Sequence, residues 1–358
     1  MKCKLLDICS FRKGKMDIEN LNTKNYISTE NMLPNKCGIT DASSLPTVSL
    51  VQEYKKGDVL VSNIRPYFKK IWQAKYNGGC SNDVLVFVPK SNTDRNFLYY
   101  VLANDDFFTY SMATSKGTKM PRGDKTSIMQ YEVPMFDLNA QNKVASILKS
   151  LDEKIELNNA INNNLEQQAF AIFDNIFPDV SSGNNLIGNI ITPQRGKNLL
   201  SKDAIPGEVP VVAGGLEPAT YHNKPNTTSP VLTISASGAN AGYVNLWNVP
   251  VWSSDSSYID ASMTDNVYFL YVMLKKRQQE IFDAQTGSAQ PHIYPKHIAA
   301  MPVIDLEPNE IVQFTKLVTP LFQAIGINKQ ENIKLAEIRD SLLPKLMSGE
   351  LDVSDINI

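Results

Sequence analysis

Apolar residues recur in alternating steps of three and four positions in two segments of the chain. The first segment covers residues 144–176 and the second covers residues 314–346, where Arg339 and Pro344 interrupt the pattern near its end. Such steps produce a narrow apolar seam on a helix, which is typical of a coiled coil rather than of a helix in a globular core. At about 1.5 Å per residue, the first segment alone would span roughly 50 Å. The pattern therefore predicts two long helices, each with a pairing seam.

Asparagines interrupt both seams at matching places. A shift of 170 residues brings Asn158 onto Asn328 and Asn162 onto Asn332. An asparagine in a seam lowers stability but fixes the register, because a slip would bury its amide against leucine. We therefore predict that these four residues set the register of the helix pair, although two unrelated core helices with solvated asparagines would give a similar pattern. The spacing alone leaves open whether the helices run parallel or antiparallel.

The two regions outside the long helices are rich in short apolar runs separated by turns, which predicts β-strands. Both regions contain, in the same order, two apolar runs, a brief helical run, a glycine-containing loop and a proline. These features are 58–61, 84–88, 97–104, 116–121 and Pro134 in the first region, and 209–212, 231–234, 267–277, 286–291 and Pro302 in the second. The recurrence predicts an internal duplication with a period near 170 residues.

This organisation predicts an α+β fold with two β-rich domains separated by two long helices. A chain of 358 residues is also longer than one ordinary core supports. The predicted segments are a first β-rich domain at 1–137, a central helix at 138–177, a second β-rich domain at 178–303, and a C-terminal helix with a tail at 304–358.

The net charge of −2 is unusual for a protein that binds nucleic acid alone, because such proteins rely on a basic surface. The charge is unevenly distributed, however. Residues 1–137 carry more basic than acidic side chains, and residues 304–358 carry more acidic than basic ones. We therefore expect that, if the chain binds DNA, a partner protein contributes to the binding.

Two further observations bear on the class of protein. No apolar run approaches the roughly 18 residues that a membrane-spanning helix needs, and the first residues lack the apolar core of a signal peptide, so we expect a cytoplasmic location. Cys3, Cys9, Cys37 and Cys80 form no Cys-x-x-Cys pair and lie far in sequence from the histidines. We therefore predict ordinary thiols and no metal site.

Seven motifs resemble those of the specificity subunits of Type I restriction-modification enzymes. The chain departs from the family where Asn309 and Glu310 stand in place of the Glu-Gln pair that commonly opens the helical region. The resemblance extends over essentially the whole chain. Its motifs are YISTENM (26–32), GDVLVSNIRPYFKK (57–70) and GTKMPRGDK (117–125) in the first region, PVVAGG (210–215), ISASGANAG (234–242) and GSAQPHI (287–293) in the second, and RDSLLPKLMSGEL (339–351) at the C-terminal end.

The resemblance implies a non-catalytic protein that recognises DNA. Each target-recognition domain would read one half of a bipartite double-stranded DNA target. The long helices would pair as an antiparallel coiled coil, set the spacing of the half-sites and dock the modification (methyltransferase) subunits. Those partners would methylate adenine using S-adenosylmethionine, and a separate restriction subunit would carry the ATP-driven, Mg-dependent translocation and cleavage, so this chain would hold no cofactor.

Two basic stretches in the first region are candidates for contacting DNA. They combine cations that suit phosphates with amide and guanidinium groups that suit base edges, although solvated basic loops would have the same composition. The candidates are Asn63, Arg65, Tyr67, Lys69, Lys70, Lys119, Arg122 and Lys125.

The second region has candidates of a different character. Small polar and amide-bearing residues around glycines suit hydrogen-bonded readout, but they are equally common in ordinary turns. The candidates are Arg195, Lys197, Ser235, Ser237, Asn240, Gln290 and His292. Asp255, which is flanked by serines, is expected to cap a turn.

No catalytic constellation is recognisable in the sequence. A methyltransferase motif of the Asn/Asp-Pro-Pro-aromatic type, a G-x-G-x-x-G fingerprint and a phosphate-binding loop are all missing. The main alternative to a DNA-reading subunit is therefore a scaffold that recognises protein or glycan without binding DNA. A hydrolase or nuclease would require a metal or triad cluster that the sequence lacks.

Overall fold

The protein is described here by a computed structural model, which covers residues 2–287 and 290–354. It divides into two compact units. The first unit combines residues 1–155 with 334–358, and the second comprises residues 156–333. Each unit therefore contains part of both long helices.

The first unit contains two four-stranded sheets and a two-stranded ladder. The strand orders are β2-β9-β6-β7, β3-β5-β8-β4 and β1-β10. The strands are β1 (Lys2–Lys4), β2 (Cys9–Phe11), β3 (Lys15–Asp17), β4 (Tyr26–Ile27), β5 (Leu50–Tyr54), β6 (Val59–Ser62), β7 (Ile71–Gln73), β8 (Gly78–Cys80), β9 (Val84–Pro89) and β10 (Glu132–Pro134).

The continuous apolar runs of β6 and β9 are explained by burial on both faces. Successive side chains of a strand point to opposite faces, so Val59 and Val61 enter one core cluster while Leu60 enters another. In β9, Leu85 and Phe87 likewise pack on the same side as Val59 and Val61. These two central strands therefore divide the interior of the unit into two layers.

Four short helices complete the first unit: α1 (Leu5–Ile8), α2 (Arg95–Ala103), α3 (Asp105–Ala113) and α4 (Lys125–Ile128). Their starts follow the local sequence. The Asp94 side chain accepts hydrogen bonds from the backbone N–H groups of Asn96 and Phe97, and Asp124 accepts one from Ser127. These N-caps satisfy amides that the first turn leaves unpaired.

The second unit contains a four-stranded sheet, a three-stranded sheet and a two-stranded ladder. The strand orders are β12-β18-β15-β16, β14-β13-β17 and β11-β19. The strands are β11 (Asn185–Leu186), β12 (Gln194–Arg195), β13 (Val209–Val212), β14 (Thr220–His222), β15 (Val231–Ser235), β16 (Val244–Trp247), β17 (Trp252–Ser253), β18 (Ser256–Asp260) and β19 (Pro302–Val303). Single-turn 3-10 helices lie at Ile18–Asn20 and Pro66–Phe68 in the first unit, and at Ile187–Asn189 and Ser201–Asp203 in the second.

The core of the second unit joins its sheet to both long helices, which are numbered α5 (Leu138–Ile176) and α9 (Pro308–Ser348) in chain order. The shorter helices are α6 (Val267–Lys276), α7 (Gln278–Asp283) and α8 (Pro295–Ala299). Phe173 of α5, Phe269 of α6 and Phe314 of α9 meet with ring centroids 5.4–6.0 Å apart. Burying three aromatic rings at one point packs both long helices against α6. The same core cluster includes Leu232 and Ile234 of the central strand β15.

The two long helices contact each other along the predicted seams. All ten seam positions of each helix are buried or half-buried. In the second unit, Asn158 contacts Asn332 and Asn162 contacts Asn328. In the first unit, the Arg339 guanidinium lies 2.8 Å from Asp152, so the residue that interrupts the seam is held by an ion pair. Residue numbers thus rise along one helix as they fall along the other.

The predicted mixture of sheets and long helices is therefore confirmed. The predicted domain boundaries remain predictions. Within the described residues, no helix combines the length and the apolar character needed to cross a bilayer.

Candidate nucleic-acid interface

In the first unit, the structure brings the two basic stretches together. The Arg65 N–H donates to the Pro121 carbonyl at 2.8 Å, and the Gly123 N–H donates to the Asn63 carbonyl at 3.1 Å. Ile64 and Arg122 form an isolated antiparallel bridge. The loop after β6 and the glycine loop before α4 therefore form one surface, although more than 50 residues separate them in the chain.

The loop after β6 presents its aromatic residues at its tip. Pro66, Tyr67 and Phe68 form one turn of 3-10 helix between Arg65 and Lys69, which both adopt the left-handed conformation. Pro66 is buried, whereas Tyr67 and Phe68 are exposed. The neighbouring rings have centroids 4.6 Å apart.

The lysines of this loop are engaged within the protein. Lys69 and Lys36 place their ammonium groups 2.7 and 2.8 Å from the Asp105 carboxylate. Burial raises the pKa of Asp105, but hydrogen bonds from the two lysines outweigh it and leave that pKa below its ordinary value. Lys70 donates to the Thr29 carbonyl at 2.6 Å, and burial lowers the pKa of its ammonium. These cations hold the loop in place while adding positive charge beside it.

The glycine loop supplies exposed charge. Lys119 and Lys125 are both exposed. Arg122 is also exposed and pairs with Asp83 at 2.9 Å. A fourth cation, Lys116, donates to Asp124 at 2.7 Å, and together with hydrogen bonds from Ser127 it lowers the pKa of that carboxyl to about 2.

Two candidate readers of base edges have side-chain atoms without a partner in the protein. Asn63 is only 9% exposed, and its Oδ1 is buried without a hydrogen bond among the described residues. The Arg65 Nε is buried in the same unsatisfied state. Buried polar atoms are normally satisfied, so these two atoms favour a ligand or a local rearrangement at this surface.

The second unit assembles its candidates in a similar way. His292 forms isolated bridges with Ser237 and with Thr286, and the Gly238 N–H donates to the Pro291 carbonyl at 3.1 Å. The loop after β15 and the loop before α8 thus meet. Ser288 and Ala289 of the predicted motif lie outside the described residues.

An ion pair anchors the start of this second surface. Arg195 donates to Asp255 at 2.6 Å, and the Ser237 hydroxyl donates to the other oxygen of the same carboxylate. Asp255 therefore links its own segment to two distant ones, a structural role whose contacts are these two side chains. The nearby Lys197 is exposed.

The remaining candidates differ in accessibility. Gln290 is exposed and Asn240 is half-buried, with its amide 3.3 Å from the Gly214 carbonyl. Ser235 is buried in β15, and its hydroxyl lacks a partner among the residues that the structure describes. Gln290 and Asn240 can therefore meet a ligand directly, whereas Ser235 lies beneath the surface.

Sequence reasoning missed the acidic residues that organise these surfaces. Asp83 pairs with Arg122, and Asp105 pairs with Lys36 and Lys69. It also missed Phe68, although this residue lies between two candidates. The sequence signal available for Phe68 was its position among basic and apolar residues in 57–70. No signal in the sequence marked the carboxylates, because they come from distant segments of the chain.

Comparisons with known proteins identify relatives of the chain. Residues 1–167 match the family model described as the Type I restriction modification DNA specificity domain. The chain is 26% identical over 313 residues to the MjaIX specificity subunit of Methanocaldococcus jannaschii, covering 75% of this chain and 72% of that protein. It is 24% identical to the HindI specificity subunit of Haemophilus influenzae, and the match covers 91% of this chain and 94% of that protein.

A solved structure has a similar fold. The S subunit of a Type I restriction-modification system from M. genitalium matches with a TM-score of 0.59 and 20% identity, covering 97% of this chain and 96% of that one.

Proposed function

We propose that the chain is a specificity subunit of a Type I restriction-modification enzyme, a subunit that recognises the DNA target, and that each of its two units reads one half of a bipartite site. The recognition domains would be residues 1–137 and 178–303. We also propose a cytoplasmic location, because that is where the chain would meet its DNA target.

The observation that carries this proposal is the similar construction of the two candidate surfaces. In each unit, a loop that leaves a central strand bridges a glycine loop: Ile64 with Arg122 in one, and Ser237 with His292 in the other. The four-stranded sheets also share one arrangement, since the order β2-β9-β6-β7 corresponds to β12-β18-β15-β16. These correspondences support an internal duplication in which two diverged copies read two different sequences.

We further propose that α5 and α9 form an antiparallel coiled coil that sets the spacing of the half-sites. The contacts of Asn158 with Asn332 and of Asn162 with Asn328 support that pairing. A side-chain register of this kind is the best-attested use of asparagine in a coiled-coil seam.

The same helices would dock the modification subunits. In the second unit, Leu157 and Ile161 of α5 and Ile327 and Ile333 of α9 are exposed, and Ile327 reaches 69%. Large apolar side chains on the solvent side of a helix pair are typical of a surface that a protein partner covers.

The chemistry would belong to the partners. We propose that this chain is non-catalytic, and that S-adenosylmethionine, ATP and Mg act on the methyltransferase and restriction subunits. Exposed cations such as Lys119, Lys125 and Lys197 would contact phosphates, and half-buried or exposed polar groups such as Arg65, Asn240 and Gln290 would contact bases.

Methylome sequencing tests this function. Cells that express the chain with its modification subunit should acquire methylated adenines within one bipartite motif, and cells that express the modification subunit alone should lack that motif. A scaffold that recognises protein or glycan would leave the methylome unchanged and would show no DNA dependence in binding assays.

A further inference from the structure

The tip of the loop between β6 and β7 exposes two adjacent aromatic rings. Tyr67 is 49% exposed and Phe68 is 38% exposed. Their centroids lie 4.6 Å apart with an interplanar angle of 49°. Aromatic rings are favourably removed from water, so a pair left at a loop tip within a candidate interface points to a ligand that covers it.

The backbone of this tip is held in an unfavourable conformation. Within the described residues, four of the five non-glycine residues with positive φ are Asn35, Lys36, Arg65 and Lys69, with φ between 50° and 63°. The Asn35 N–H donates to the Phe68 carbonyl at 2.8 Å, and the Lys36 N–H donates to the Lys69 carbonyl at 2.9 Å. Left-handed residues with a Cβ persist only where their surroundings enforce them, and they cluster at functional sites.

Side chains reinforce the same tip. Lys36 and Lys69 share the Asp105 carboxylate, and Lys70 donates to the Thr29 carbonyl while its ammonium lies 5.8 Å from the centre of the Phe68 ring. The rings are therefore presented on a braced loop with positive charge beside them. A rigid, cation-flanked aromatic tip loses little conformational entropy when it meets a polyanion.

We propose that Tyr67 and Phe68 form a wedge that inserts at one base step of the half-site read by the first unit, unstacking that step and bending the duplex. The proposal rests on the DNA-reading function proposed above. Apolar side chains that enter between base pairs kink DNA, and pyrimidine–purine steps open most easily. The wedge would thereby select a deformable step without hydrogen bonds to its bases.

The second unit has no comparable wedge in the described part of its corresponding loop. Residues 237–240 at that position are Ser, Gly, Ala and Asn. Tyr243, at the end of the loop, is half-buried, and the Lys275 ammonium lies 4.0 Å from its ring centre. We therefore expect distortion in only one of the two half-sites.

The test uses the full chain assembled with its modification subunits on duplexes that contain the target. 2-Aminopurine, an adenine analogue whose fluorescence rises when it is unstacked, replaces in turn each adenine of either strand except the methylated adenines, which the methyltransferase itself can displace. Wild-type complex should raise the fluorescence at one step, in the half-site of the first unit. Tyr67→Ala with Phe68→Ala should abolish that signal and the associated bend, and should weaken binding roughly 5- to 150-fold, as expected for loss of aromatic stacking on a base.

Matched controls separate the wedge from other effects. Leu50→Ala removes a more exposed apolar side chain from β5, and Tyr221→Ala removes an exposed ring from β14 in the second unit. Both variants should keep the fluorescence signal. Phe68→Trp should retain it as well. The second half-site should remain correctly recognised by the double variant, which shows that the protein is folded.

Three outcomes would overturn the wedge. The wild-type complex could show no unstacked step, the double variant could match the wild type, or the double variant could fail to bind the modification subunits without DNA, which would make the rings a protein contact. Failure of the broader function would look different, because the wild-type complex would then show no preference for any DNA sequence.

Discussion

The buried asparagine pair of the long helices offers a quantitative test of the helix register. Asn158 is 1% exposed, and its Nδ2 donates to Asn332 Oδ1 and to Glu331 Oε2, each at 2.8 Å. Its own Oδ1 is buried without a partner among the described residues. The informative perturbation is a double-mutant cycle of Asn158→Leu, Asn332→Leu and both together.

The expected magnitudes follow from these contacts. Asn158→Leu removes one neutral hydrogen bond, worth about 1 kcal/mol, and one to a carboxylate, worth about 2 kcal/mol. Burial of the leucine returns about 2 kcal/mol, so the single variant should be about 1 kcal/mol less stable. Asn332→Leu should cost a similar amount, because it deprives the buried Asn158 amide of an acceptor. In the double variant the two leucine side chains face each other, and no buried amide faces an apolar side chain. The free energy of unfolding should therefore return to about the wild-type level.

Urea unfolding of the full chain, followed by far-ultraviolet circular dichroism, measures the cycle. The coupling between the two positions should favour matched pairs by about 1–2 kcal/mol. Additive single effects, with a coupling below about 0.3 kcal/mol, would show that the two asparagines act independently. The asparagine pair would then not set the register of the helices.

Four further predictions concern assembly and recognition. Leucine at all four seam asparagines should leave the chain folded and at least as stable, but it should loosen the register and promote self-association; an unchanged sedimentation profile would contradict this. Lys119→Ala with Lys125→Ala should weaken binding of the assembled enzyme to every sequence and reduce the slope of log affinity against log salt by about 0.9 for each phosphate that is no longer neutralised. Arg65→Ala should cost roughly 1–3 kcal/mol on the correct target and less on others, and equal losses on both would exclude a base-reading role. Replacement of residues 178–303 by another recognition domain should change one half of the methylated motif and keep the half assigned to residues 1–137, so a change in both halves by methylome sequencing would contradict two independent readers.

The local pattern of apolar and polar residues was enough to predict many of the helices and strands of this protein. The alternating spacing of apolar residues identified both long helices and a seam of buried or half-buried positions on each, because a helical seam depends only on side-chain periodicity. The apolar runs around 59–61 and 84–88 likewise identified the central strands of the first unit. The glycine loops and basic stretches could be recognised as candidates because they combine cations that suit phosphates with polar groups that suit base edges.

Tertiary structure alone decided which candidates are accessible and what they contact. Asn63 and Ser235 are buried, although their sequence context suits exposed readers. Lys69 is held by Asp105 from a different helix, and Asp255 joins segments that lie 18 and 60 residues away. Such pairings depend on how the chain folds back on itself. Residue type and spacing determine a helix or a strand, but they carry no information on which distant carboxylate will neutralise a given cation.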